Sequence, residues 1–180
     1  MTFQIVPERP DDAALLDPLL DLTFGFDRKQ KTVYQLREGI APVPGLCFSA
    51  ISPADLLLGS LRFWPIVIAK TTRAILLGPL AVEPALQGAG IGRALVRHGL
   101  AEAKRQGERI CVVVGAPTYY GPFGFVNAGL SGLILPGPVE AERFQVLELV
   151  PDALKGVTGM IGRADDVVDA QEAKPKRRRA

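Results

Sequence analysis

Hydrophobic and polar positions along this chain change period several times, and each change predicts an element. Phe3 to Val6 reads as a short strand ended by Pro7 and Pro10. Asp11 and Asp12 open a helical stretch carrying Leu15, Leu16, Leu19, Leu20 and Leu22, closed by Gly25. Pro18 lies inside it and Asp17 is placed to cap a second short helix, so a kink or break is expected. Arg28 to Glu38, rich in good helix formers and stopped by Gly39, reads as another helix.

The period then shifts. Leu46 to Ile51, Asp55 to Ile68 and Ala74 to Val82 are rich in apolar, β-branched and aromatic residues. Ser52-Pro53 and Lys70-Thr71-Thr72-Arg73 separate them as turns, which predicts three strands in an antiparallel meander. Pro65 and Pro79 demand irregular places, and Gly78-Pro79 predicts a bend or bulge late in the third strand. From Ile91 to Gln106 the pattern is helical. Ile91, Leu95, Val96, Gly99, Leu100 and Ala103 share one half of the wheel, with Arg93, Arg97 and Lys104 opposite. Arg109 to Val114 is a continuous apolar run, as for a strand covered on both faces. Strand, helix and strand then form a β-α-β unit with a right-handed crossover and parallel strands. Gly115 to Phe125 has room for one or two helical turns. Leu133 to Leu135 and Phe144 to Val150 are further strands, and Pro151 to Arg163 is weakly informative.

With 180 residues and 48% hydrophobic side chains, the chain has enough material for one domain with a proper core. The formal charge of +2 conceals an asymmetry. With the five basic residues of 174–179 set aside, 16 basic side chains face 19 acidic ones, so the body carries −3 and is no nucleic-acid-binding surface by charge alone. Residues 1–163 are expected to form the domain and 164–180 a disordered basic tail, open to weak nonspecific contact with polyanions. A single histidine, His98, argues against multi-histidine metal sites, and no metal is expected. Cys47 and Cys111 sit in apolar runs as buried thiols. The N-terminus lacks the pattern of a signal peptide, and no run approaches the length of a membrane span, so a cytoplasmic protein is expected.

The candidate chemistry gathers at Gln87-Gly88-Ala89-Gly90-Ile91-Gly92, where a strand feeds a glycine-rich turn at a helix N-terminus. Such a turn is an anion site, because its N–H groups lack intrahelical partners. Spacing separates the versions of such a loop. A dinucleotide fingerprint needs G-x-G-x-x-G, but Arg93 and Leu95 stand where the third glycine would fall. A Walker A loop ends in G-K-[ST], and here the residues are Gly92-Arg93-Ala94. What remains is Q-x-x-G-x-G, with Gln87, Gly90 and Gly92.

That pattern resembles the central motif of the GNAT superfamily of N-acetyltransferases. The preceding strand with its "VEP", the Y-x-x-x-G-F element of Tyr120 to Phe125, and the order of elements extend the resemblance over roughly Phe3 to Val150. FGFDRKQKTVYQLREG and YYGPFGF are most similar to the bacterial YhbS-like group, whose members usually carry Arg where this chain has Pro122. The resemblance implies an α/β (α+β) fold: a mixed, mostly antiparallel central sheet, a parallel pair flanking the motif helix, and helices on both faces. It implies acetyl-CoA as co-substrate and acetyl transfer to a primary amine, on a small molecule or a protein. The alternative is a non-catalytic acyl-CoA-binding module, and the protein is expected as a monomer or homodimer.

Residue by residue, backbone amides of Gln87, Gly88, Ala89, Gly90, Ile91 and Gly92 would bind the pyrophosphate, with Arg93 reaching the phosphates. Leu80, Ala81 and Val82 would pair with the pantetheine arm. Tyr120 matches the family's tyrosine that protonates the departing thiolate; the bland reading is an aromatic packed under the sheet, and Tyr119 is read as its packing partner. Glu83 is a candidate base or a surface carboxylate, with a water chain as the alternative. Tyr34 and Trp64 either line the acceptor pocket or pack in the core, and His98 is read as a surface residue.

Overall fold

A computed structural model of the chain describes residues 2–166. Nine strands and four α-helices follow in the order β1 (Gln4–Pro7), α1 (Asp12–Phe24), α2 (Thr32–Gln35), β2 (Cys47–Ile51), β3 (Leu57–Ile68), β4 (Thr72–Val82), α3 (Ile91–Arg105), β5 (Ile110–Val114), α4 (Pro117–Tyr120), β6 (Val126–Asn127), β7 (Leu133–Ile134), β8 (Phe144–Glu148) and β9 (Gly159–Arg163). The main sheet runs β1-β2-β3-β4-β5-β8-β6, with β9 on β3 and β7 on β9. Pairing through β1 to β4 is antiparallel, as is β5 with β8. The mixed sheet, with helices on both faces, is the expected architecture.

The β4–β5 contact is parallel and short. Only Ile75↔Cys111 and Leu76↔Val112 pair, after which the strands diverge. Alternation sends Ile75, Leu77, Cys111 and Val113 towards α3, and Ala74, Leu76, Ile110 and Val112 into the opposite layer. The α3 face that was read from period 3.6 is the buried one: Ile91, Leu95, Val96, Gly99, Leu100 and Ala103, together with Gly92. Helix α1 covers the other face, where Leu19 and Leu20 pack on Ala81.

The irregularity expected at Gly78-Pro79 is a β-bulge. Leu61 pairs with Leu80 and Phe63 with Leu77, so two residues of β4 stand opposite Arg62 alone. The extra residue inverts the alternation. Before the bulge Ile75 and Leu77 face α3; after it Leu80 and Val82 do, and Ala81 points away. Pro65 lies in the gap between the reach of β2, which ends at Arg62, and that of β9, which starts at Ile66. No neighbour on that edge requires its missing N–H.

Three expectations are corrected. The break admitted at Pro18 does not occur: helix α1 continues through it, with Leu19 and Leu20 anchored on the sheet at Ala81. Asp17 caps nothing; its carboxylate accepts from Arg28 Nη2 at 2.9 Å. The helix read over Arg28–Glu38 is broken into a 3-10 turn at Phe26–Gln30 and the short α2, separated by an extended Lys31. Arg28 turns inward to Asp21 and Asp17, and its guanidinium lies over the Tyr34 ring at 5.6 Å, a contact a straight helix would not make. Strands β6 and β9 were not expected; two and five residues with mixed burial carry no period to read. Ala164–Asp166 form a 3-10 turn tied to Arg163, and the rest of the expected tail lies outside the described residues.

Candidate functional site

The divergence of β4 from β5 opens a cleft, and the glycine turn stands at one end of it. Gly88 and Gly90 take φ of +86° and +88°, the left-handed region where a side chain is strained, and nothing lies within 4 Å of where their Cβ atoms would be. The first helical bond of α3 runs from Ala94 N–H to Gly90 C=O at 3.0 Å. Among the described residues, the N–H groups of Gly88, Gly90, Ile91, Gly92 and Arg93 therefore have no acceptor. Gly92 makes a close approach: a Cβ there would stand 2.6 Å from Tyr119 Oη, so the tyrosine would have to shift. A cavity of about 470 Å³ lies over this turn, lined by Leu80, Val82, Gln87, Gly88, Gly90, Ile91, Gly92, Arg93 and Tyr119. Free N–H groups, a helix N-terminus and Arg93, which pairs with no carboxylate among the described residues, suit a polyanion.

Leu80 and Tyr119 also line a second cavity of about 880 Å³ on the far side of the bulge. Its walls come from the diverging ends of β4 and β5 (Leu77–Leu80, Val113–Ala116), from α2, and from the segment before β8. Tyr120 sits in this wall, 8% exposed, within an aromatic cluster of Tyr119, Phe123 and Phe125 at centroid distances of 5.0, 6.5 and 5.7 Å. Gly115 gives it room, since a Cβ there would meet the ring at 2.1 Å. Burial pushes the Tyr120 hydroxyl well above the ordinary tyrosine range, so it stays protonated at neutral pH.

Most residues singled out in the sequence converge here. Leu80, Val82, Gln87, Gly88, Gly90, Ile91, Gly92 and Arg93 line the smaller cavity, and Tyr120 the larger. Ala81, turned to the opposite face by the bulge, and Ala89 line neither, and half-buried Glu83 also lines neither. The larger cavity contains residues that sequence reasoning passed over: Arg37, Lys31, Arg143 and Glu140. Tyr119, read as packing, faces both cavities. The signal for it was its place beside Tyr120 on one short turn.

Tyr34 lines the larger cavity, while Trp64 lies behind Arg37. The Phe48 ring meets exposed His98 edge-on at 4.7 Å. Both cysteines are free thiols raised by burial, Cys47 to about 11. Among the described residues no three His, Cys, Asp or Glu side chains gather to hold a metal, and no helix is long and apolar enough to cross a membrane.

Residues 16–119 match the Acetyltransferase (GNAT) family. The chain is 35% identical over 155 residues to the uncharacterized N-acetyltransferase YhbS of Escherichia coli (strain K12), covering 86% of this chain and 92% of that one. The crystal structure of Escherichia coli YhbS in complex with CoA superposes with a TM-score of 0.79 at 32% identity over 91% of each chain. A GNAT family acetyltransferase from Brucella melitensis, in complex with acetyl-CoA, gives a TM-score of 0.69 at 29% identity over 92% of this chain and 97% of that one.

Proposed function

The chain belongs to the Acetyltransferase (GNAT) family, and on that premise we propose that it is an acetyl-CoA-dependent N-acetyltransferase acting on a primary amine by direct attack on the thioester. One observation carries the reading: a turn of unpartnered N–H groups lines one cavity, and a second cavity that shares Leu80 and Tyr119 with it contains Tyr120. The turn from Gln87 to Gly92, with Arg93, would hold the pyrophosphate. Ala89 contributes backbone only. The pantetheine arm would lie along β4 past the point where β5 leaves it, against Leu80 and Val82 and the main chain of Ala81. The thioester would then lie at the bulge and the amine in the larger cavity. That coenzyme A is bound by YhbS and acetyl-CoA by the Brucella protein supports the assignment.

The amine enters neutral, its ammonium proton passing to water. Glu83 is the carboxylate we assign to accept that proton, relayed through water because it lines neither cavity. The nitrogen attacks the thioester carbon, and backbone N–H groups beside the bulge stabilise the oxyanion. Collapse breaks the C–S bond, and the nitrogen loses a second proton as the thiolate gains one. A thiol near pKa ~8.5 and a tyrosine near ~10 make full transfer from Tyr120 uphill by roughly 2 kcal/mol, and burial raises that further. Tyr120 therefore acts as a hydrogen-bond donor to the departing sulfur.

The domain is assigned to residues 1–163, with a separate tail after it, in a cytoplasmic protein. Isothermal titration with acetyl-CoA tests the proposal, and no binding at high micromolar concentration defeats it. A non-catalytic acyl-CoA-binding module is favoured instead if acetyl-CoA binds, no amine releases thiol, and Tyr120→Phe changes nothing; the placement of Glu83 outside both cavities keeps that reading in view.

A further inference from the structure

Arg37 is a buried charge that this mechanism does not use. It is 7% exposed and stacks on the rings of Tyr34 at 5.0 Å and Trp64 at 5.9 Å. Among the described residues no carboxylate pairs with it and its Nε is fully buried without a partner; the hydroxyls of Tyr34 and Tyr120 are the neighbours that favour its charge. Among the described residues every other arginine that is at least half-buried is paired: Arg28 with Asp17 and Asp21, Arg62 with Glu8, Arg9 with Asp12 and Asp55, and Arg163 with Asp165. An unpaired buried cation is costly, and proteins keep one chiefly where something else supplies the anion. Burial draws Arg37 down to about 10, which still leaves it charged at neutral pH.

Its position says where that anion would be. Arg37 lines the larger cavity, and its Nη2 lies 3.3 Å from where a Cβ on Gly78 would stand, beside the bulge. The other charges on the cavity wall are Lys31, Arg143 and Glu140, all exposed, so cations outnumber carboxylates. The coenzyme's phosphates are assigned to the opposite end of the cleft, and its pantetheine arm is uncharged. The missing anion therefore belongs to the acceptor.

We propose that the acceptor is a small amine carrying a carboxylate a few bonds from its amino group, as in an α-amino acid, and that Arg37 is the residue that binds this carboxylate. The inference rests on the acetyltransferase reading above. A guanidinium fork matches a carboxylate bidentately and fixes its orientation. With the carboxylate held beside the bulge, the neighbouring amine is directed to the thioester, and the C–N bond forms as the C–S bond breaks. The same cation repels a second ammonium, which disfavours polyamines.

The test measures thiol release from acetyl-CoA with the wild-type protein on three series: the standard α-amino acids, their C-terminal amides, and the corresponding decarboxylated amines. At least one acid is expected to exceed its amide and its decarboxylated amine in kcat/KM by about 100-fold, because the analogues leave the buried cation unpaired. The amides carry the less basic amine, so ease of deprotonation works against this result. Arg37→Met is expected to abolish the preference through KM for the acid while acetyl-CoA affinity by calorimetry stays unchanged; Arg37→Lys, which keeps charge without the fork, is expected to fall between. Amides or amines used as well as acids, or neither used while acetyl-CoA binds, overturns the inference and leaves the coenzyme site standing. So does a folded Arg37→Met protein that keeps the preference. Failure to bind acetyl-CoA removes the proposed function, and this inference with it.

Discussion

Gly115→Ala probes Tyr120 without touching it. The Cβ of alanine would stand 2.1 and 2.6 Å from two ring carbons of Tyr120, where ordinary carbon contacts are about 3.5–4.0 Å. The backbone cannot supply the missing distance of more than ~1 Å. Gly115 N–H donates to Arg143 C=O at 2.9 Å, and Gly115 C=O accepts from Gln145 Nε2 at 2.8 Å. The ring must move instead, against Tyr119 and Phe125. Overpacking of this kind costs about 1–3 kcal/mol, and at roughly 3 °C per kcal/mol for a chain of this size the melting temperature falls by about 3–9 °C. A donor displaced by ~1 Å costs up to about 100-fold in turnover. The assay pairs thiol-release kinetics with calorimetric binding of acetyl-CoA and a thermal melt. Turnover is expected to fall steeply, with coenzyme affinity within a few-fold of wild type. If the loss acts through the hydroxyl, adding Tyr120→Phe to Gly115→Ala lowers the rate little further. A folded Gly115→Ala protein with wild-type turnover would refute the placement of Tyr120 at the reacting sulfur.

Three other outcomes are expected. Gly92→Ala drives a Cβ to 2.6 Å from Tyr119 Oη in the floor of the smaller cavity, so acetyl-CoA affinity falls by about 10-fold or more while the melting temperature changes less than for Gly115→Ala; unchanged affinity by titration contradicts the pyrophosphate assignment. Asp12, 1% exposed, is pushed up by burial, but hydrogen bonds from Arg9 and Ser49 outweigh this and hold its carboxyl below the usual range. A depressed pKa gives stability that is present above the unfolded value of ~3.9 and lost as pH falls through the folded one, so Asp12→Ala costs about 2 kcal/mol at pH 7 in denaturant unfolding and the gap closes below about pH 4. Removing residues 174–180 leaves acetyl-CoA affinity unchanged by calorimetry, and a large loss ends the view that the tail acts apart from the site.

Much of this molecule is written in local pattern. The apolar face of α3, the strands β2 to β5, the bulge at Gly78-Pro79 and the glycine turn were all legible, because each follows from backbone geometry that a few adjacent residues dictate. The short β6 and β9 were not, since they form only where β8 and β3 offer them a ladder. The stretch from Arg28 to Glu38 shows the limit most clearly. Good helix formers predicted one helix; burial of Arg28 against Asp17 and Asp21 breaks it and turns Arg37 towards Trp64. Ala81 makes the same point, because one extra residue at the bulge exchanged it for Leu80 and Val82 on the cleft side.

By itself, then, the sequence determined most of the elements, the family resemblance and the glycine-rich turn, all properties of short segments whose φ/ψ preferences and periodicities act locally. Only the tertiary structure decided which side chains share the larger cavity. Tyr120 and an unpaired Arg37 lie 83 positions apart along the chain and meet there because β5 diverges from β4 after two paired residues. Long-range pairing and burial set that meeting, and no local period encodes it.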